Sequence, residues 1–301
     1  MISVNSPKKN SRIPFYFFII LLVAISIILL LFNNLNNLLY SPRLKAHEWC
    51  EIHPCITVPF FSYEITIATP TSSIFVFALG FITVYIGYYL IRFENEKFPL
   101  DWWGIALIFW GLGALFAGVS YQAFSFHLKC AGRTYCLWTS WFEIVYLMLS
   151  MASVDAMVFA QIQTSRNSKL QWGMKCYAFL TFSIYILILV IGSLIPVRFL
   201  ISFELLVLFL TPTFLLFFIY NLSQYIRTKD KMALILVGTW ISLGIIVIVY
   251  YSYYLSGITE LLWERGIWFS ANDVLHIGLI LWMIYIGRMI PNTLSNNKSG
   301  K

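Results

Sequence analysis

Long apolar runs alternate along the chain with short polar segments. Eight of the runs are long enough to cross a hydrocarbon core about 30 Å thick. They cover approximately residues 14–32, 73–91, 103–124, 141–162, 177–195, 202–225, 233–254 and 272–289. Unbroken apolarity predicts helices, because a spanning strand would alternate in polarity and a helix alone satisfies its own backbone in lipid. The predicted fold class is all-α, a polytopic membrane helix bundle of about eight transmembrane helices. Its parts are a cytoplasmic N-terminus and anchor helix (1–32), an outer segment (33–72), a seven-helix membrane core (73–289) and a cytoplasmic tail (290–301).

Composition sharpens this picture. The 301 residues are 60% hydrophobic and only 11% charged, against about a quarter charged in ordinary soluble domains. Cytosolic enzymes, nucleic-acid-binding domains and disordered chains are excluded on that ground. The net charge of +7 calls for no nucleic acid, since anionic lipid at an inner leaflet suffices, and membrane lipids are the expected partners.

Basic residues orient the bundle, because short basic loops stay cytoplasmic. With the N-terminus inside, the outer set is Arg43, Lys45, Lys129, Arg133, Arg198 and Arg265, and the remaining 14 of the 20 Lys and Arg lie inside. Both termini are therefore expected in the cytoplasm. The basic stretch Lys8-Lys9-Asn10-Ser11-Arg12 before the first run, with no small-residue cleavage site behind it, reads as an uncleaved anchor rather than a signal peptide. No Asn-x-Ser/Thr acceptor falls in an outer segment, which accords with a bacterial inner (plasma) membrane.

Four of the five cysteines fall outside in two close pairs, Cys50 with Cys55 and Cys130 with Cys136, and Cys176 sits at an inner helix end. An oxidising outer compartment makes two local disulfides the plain reading. A thiol-oxidising enzyme would need the Cys-x-x-Cys spacing that neither pair has.

Ionisable groups are costly at membrane depth, so each within a span is a functional candidate. Ser120 and Gln122 close the third span, with His127 just beyond; Glu143 opens the fourth, Glu204 the sixth, and Asn272, Asp273 and His276 the eighth. All lie within about two turns of the outer face by this topology. Asn272, Asp273 and His276, three and four apart, share one helix face. A carboxylate so placed can hold an imidazole in one tautomer. With Glu143 and Ser120 from neighbouring helices, the group can supply a metal ligand, a base and an oxyanion-stabilising hydroxyl. Each residue also has a structural reading: helix caps for Asn272 and Asp273, an interhelical hydrogen bond for His276, dipole-stabilised first-turn carboxylates for Glu143 and Glu204, helix packing for Ser120 and a surface position for His127. Asp155 stands apart in the inner half of the fourth span, and Thr211-Pro212-Thr213 predicts a kink in the sixth. Trp102, Trp103, Trp138, Trp141, Trp263 and Trp268 fit interfacial belts.

This layout resembles the CREST superfamily, which includes the alkaline ceramidases and the adiponectin-receptor-like proteins. The shared features are Ser and a polar group ending the second core helix, a carboxylate opening the third, and Asp and His opening the last. The phrase Asn272-Asp273-Val274-Leu275-His276 also looks like the last-helix signature of bacterial membrane proteins placed near that group. The resemblance implies a seven-helix, zinc-dependent hydrolase of lipid amides. It carries over Ser120, Glu143 and Asp273 as catalytic residues and His276, His127 and Glu143 as a variant zinc-ligand set. The family holds its zinc with three histidines. Here Ile280 stands four beyond His276, and Tyr121 or Gln122 stands where the second-helix histidine would be.

Three functions are carried by these residues: a lipid amide or ester hydrolase at the outer leaflet, a non-catalytic lipid-binding or assembly protein of the same fold, and a small-solute transporter. A retinal photoreceptor would need a Lys in a late span, and none is there.

Overall fold

The computed structural model describes residues 13–61, 63–92, 97–163, 165 and 167–299. Its long helices are α1 (Ile13–Leu35), α3 (Pro70–Arg92), α4 (Lys97–Ala117), α6 (Trp141–Ile162), α7 (Ser168–Leu194), α8 (Phe203–Thr228), α9 (Lys231–Leu255) and α11 (Ala271–Ser299). Three short helices intervene: α2 (Trp49–Ile52), α5 (Ser125–Lys129) and α10 (Ile258–Glu264). Seven helices, α3, α4 with the turn that follows it, α6, α7, α8, α9 and α11, are long and apolar enough to cross a membrane; in α1 the apolar stretch is shorter, Phe18–Leu31. The protein is thus an all-α, multi-pass membrane bundle.

Helix ends follow local chemistry. Asn167 starts α7 well before the apolar run, its Oδ1 accepting from the Lys169 and Leu170 amides. Asp230 and Ser202 accept amide hydrogens at the starts of α9 and α8, as N-caps do. Helix α11 runs on through Pro291 into the segment read as a tail.

Lipid gives helices little hydrophobic reason to associate, so close packing and small residues hold the bundle together. The α3–α4 crossing illustrates this. A Cβ on Gly87 would fall 2.6 Å from the Gly104 carbonyl oxygen, and one on Gly104 equally close to the Gly87 carbonyl; one turn-pair along, a Cβ on Gly111 would meet the Gly80 carbonyl at 2.7 Å. Only glycine permits that approach. Helix α6 is the hub, packed by α4, α7, α8 and α1 and buried almost throughout. Helix α11 packs instead along α9 and α3.

A small cap covers one end of the bundle. It contains the only strands among the described residues, a hairpin of β1 (Cys55–Phe60) and β2 (Tyr63–Ala68), paired antiparallel from Cys55–Ala68 to Phe60–Tyr63. The β-branched Ile56-Thr57-Val58 and Ile65-Thr66-Ile67 favour this state. The expected disulfides are present, Cys50–Cys55 and Cys130–Cys136. Two further segments zip together: the Tyr40 amide donates to the Cys136 carbonyl and the Cys136 amide to the Leu44 carbonyl, both at 2.8 Å, and the Trp138 amide to the Leu38 carbonyl at 3.0 Å. Leu44, Trp49, Cys130 and Cys136 form the cap's own apolar core.

Candidate functional site

Directly beneath the cap lies a buried charge cluster. After Ala117 the α4 helix widens into a π-helical turn, Gly118–Ala123, a feature that recurs at functional sites. It buries Ser120 completely. The chain then forms α5, whose last residue, Lys129, is 4% exposed, and the Cys130–Cys136 loop returns it to Thr139 and Ser140 at the start of α6. Glu143, in the first turn of α6, is 2% exposed.

The Lys129 ammonium lies 2.5 Å from Glu143 Oε1. The same oxygen accepts from Ser120 Oγ at 2.7 Å, and Oε2 accepts from Thr139 Oγ1 at 2.8 Å. Because Ser120 spends its one hydrogen on Glu143, the 2.6 Å contact between Ser120 and Ser140 has Ser140 as donor. A buried charge is tolerable when it is paired and hydrogen-bonded, and here the carboxylate has its cation and a donor on each oxygen. The Lys129 ammonium also sits 5.0 Å from the Tyr121 ring centre and 6.0 Å from that of Trp49, within reach of cation–π attraction.

The cap above responds electrically. Burial, with the Glu143 charge second, pushes the Tyr40 phenol above its ordinary value. His53 stacks on Trp49 at 4.4 Å between ring centres, and its Nδ1 lies 3.2 Å from the Trp49 carbonyl. Burial pulls His53 below its ordinary value; the carbonyl hydrogen bond opposes this, and the Lys129 charge adds to it.

The structure thus brings Ser120 and Glu143 together, as the shared depth suggests, and places the other candidates elsewhere. His127 is exposed, and its Nε2 accepts the Thr66 amide at 2.9 Å, tying α5 to the hairpin. Asp273 caps its own helix: Oδ2 accepts the Ser270 amide at 2.5 Å and the Thr71 hydroxyl at 3.4 Å. Ser72 and Ser270 join α3 to this end at 3.0 Å. Among the described residues Asp273 Oδ1 and His276 Nδ1 are buried without a hydrogen-bond partner, so the carboxylate does not orient the imidazole. Asn272 and Glu204 are exposed.

Sequence reasoning counted Lys129 only among the outer cations and passed over Thr139. The available signal was the rule itself: a carboxylate opening an apolar run needs a cation, and Lys129 and Arg133 are the two outer cations nearest Glu143 along the chain.

A zinc ion needs three or four converging donors with open lone pairs. Glu143 has both oxygens engaged, His127 Nε2 is taken by Thr66, and no group of three or more His, Cys, Asp or Glu among the described residues is placed to hold a metal. His276, His127 and Glu143 do not form such a group. No family model, curated protein or solved structure matches the chain.

Proposed function

We propose that this multi-pass membrane protein is non-catalytic, binding lipid or holding a partner within the bilayer, and that the polar cluster under its cap is a structural lock. One observation carries the reading. The Glu143 carboxylate is neutralised by Lys129 and bonded on both oxygens by Ser120 and Thr139, so its charge is engaged by groups of the protein itself. The lock joins the end of α4, α5, the disulfide loop and the start of α6, which is what a fixed platform for lipid or partner contact requires.

The two disulfides support placing the cap in an oxidising outer compartment, with both termini in the cytoplasm and the bundle in a bacterial inner membrane. Metal analysis of the detergent-purified protein, alongside native mass spectrometry for retained lipid, tests the reading. Metal-free protein carrying lipid is the expected result. Stoichiometric zinc that is lost in His276→Ala would overturn it.

That second outcome belongs to the CREST-like hydrolase reading, in which zinc would be held by His276 with His127 and Glu143. The buried His276 Nδ1, without a hydrogen-bond partner among the described residues, favours it.

A further inference from the structure

A second carboxylate lies deep in the bundle and is used by nothing described above. Asp155 is fully buried in the hub helix α6. Its Oδ1 accepts from Thr181 Oγ1, near the middle of α7, at 3.2 Å, and its Oδ2 is buried with no hydrogen-bond partner among the described residues. Thr181 Oγ1 also lies 2.8 Å from the Tyr177 carbonyl. One turn away, the Tyr177 hydroxyl meets buried Thr213 Oγ1 of α8 at 2.8 Å. Thr213 follows Pro212, which lacks an amide hydrogen and so leaves a carbonyl one turn back without its helical donor. A polar seam therefore crosses α6, α7 and α8 in the apolar interior.

No ion-pair partner reaches Asp155 among the described residues. The phenols of Tyr177 and Tyr185 on α7 are the ionisable groups on the middle turns of that neighbour. The charged residues on the packed helices sit toward helix ends: Asp101 on α4, Lys169 and Lys175 on α7, Glu204 and Arg227 on α8. An ionised carboxylate with a single hydroxyl partner and no counter-charge is far too costly in such surroundings. The cheapest remedy is a bound cation on Oδ2, and a proton is the only one that needs no further ligands.

We infer that Asp155, held by Thr181, is an intramembrane proton-binding site of this protein. It is independent of the proposed role of the capped end. A proton on Oδ2 makes the carboxyl neutral, and release of that proton requires water or a cation to reach it.

Infrared spectroscopy of the full chain in liposomes at neutral pH tests this. The difference between wild type and Asp155→Asn is expected to contain the carbonyl stretch of one protonated carboxylic acid, unchanged when potassium is replaced by sodium. A difference spectrum without that band, or a band that disappears in sodium, overturns the inference. Should Asp155→Asn fail to fold, Asp155→Glu serves: the acid band shifts in position if Asp155 carries the proton, and stays unmoved if it does not.

Discussion

Lys129 and Glu143 meet at 2.5 Å with both side chains almost wholly withdrawn from solvent, and the Cys130–Cys136 loop is the segment that brings them together. Lys129 directly precedes the first of those cysteines, and Glu143 opens the helix that the loop leads into. The disulfide, the π turn carrying Ser120 and the start of α6 therefore act as one unit.

The hydroxyls on the carboxylate are expected to contribute measurably. Hydrogen bonds to charged groups are worth about 1.5–3 kcal/mol, so Ser120→Ala and Thr139→Val should each lower stability by an amount in that range. Thermal unfolding in detergent reads this directly. A hydrolytic nucleophile at Ser120 would instead show loss of activity with little change in stability.

Removing the loop's disulfide should cost more than chain entropy. Closing so short a loop is worth about 2 kcal/mol by the polymer estimate. Cys130→Ser with Cys136→Ser should exceed that in the wild-type background, because Lys129 loses its fixed position. In a Glu143→Gln background the extra loss should vanish, and the two melting curves separate the contributions.

The α3–α4 crossing tolerates no side chain at its closest point. Gly87→Ala would set a Cβ 2.6 Å from the Gly104 carbonyl, and the helices must part; overpacking of this kind costs about 1–3 kcal/mol. Gly173→Ala is the control, since nothing lies within 4 Å of the added atom. Melting temperature should fall for the first and hold or rise for the second, since Ala favours a helix over Gly.

His53 gives the cap a pH response of definite sign. Burial holds its proton affinity below the ordinary value, so the unfolded chain binds the proton more readily. Stability from this group is complete above the ordinary histidine value of about 6.5 and declines as pH falls below it. Melting temperature should drop between pH 7.5 and 5.5, and His53→Gln should drop less.

Much of the fold is legible in the sequence because lipid imposes a simple rule: the apolar runs have to be helices, and their lengths set the spans. The cysteine pairs are legible because each is short and local. The hairpin is hidden in a segment whose Asn-rich start and four prolines read as loop. At the candidate site, the polar residues are visible but their partners are not. Helical spacing puts Asp273 and His276 on one face, yet Asp273 turns back to the Ser270 amide, because an N-terminal amide at hydrogen-bond distance outcompetes a ring three residues on. The Lys129–Glu143 pair depends on how a disulfide loop folds back, which no periodicity records. Asp155 is identifiable as costly, and only packing reveals that its one hydrogen-bond partner among the described residues is a threonine.

The central claim is that Lys129 and Glu143 form a closed structural pair, and a double-mutant cycle of Lys129→Met and Glu143→Gln tests it most directly. Each single change strands a buried group and should cost about 3–5 kcal/mol. The double variant should recover a large part of that loss, giving a favourable coupling between the sites. Losses that simply add, with no coupling between the two positions, would contradict the account.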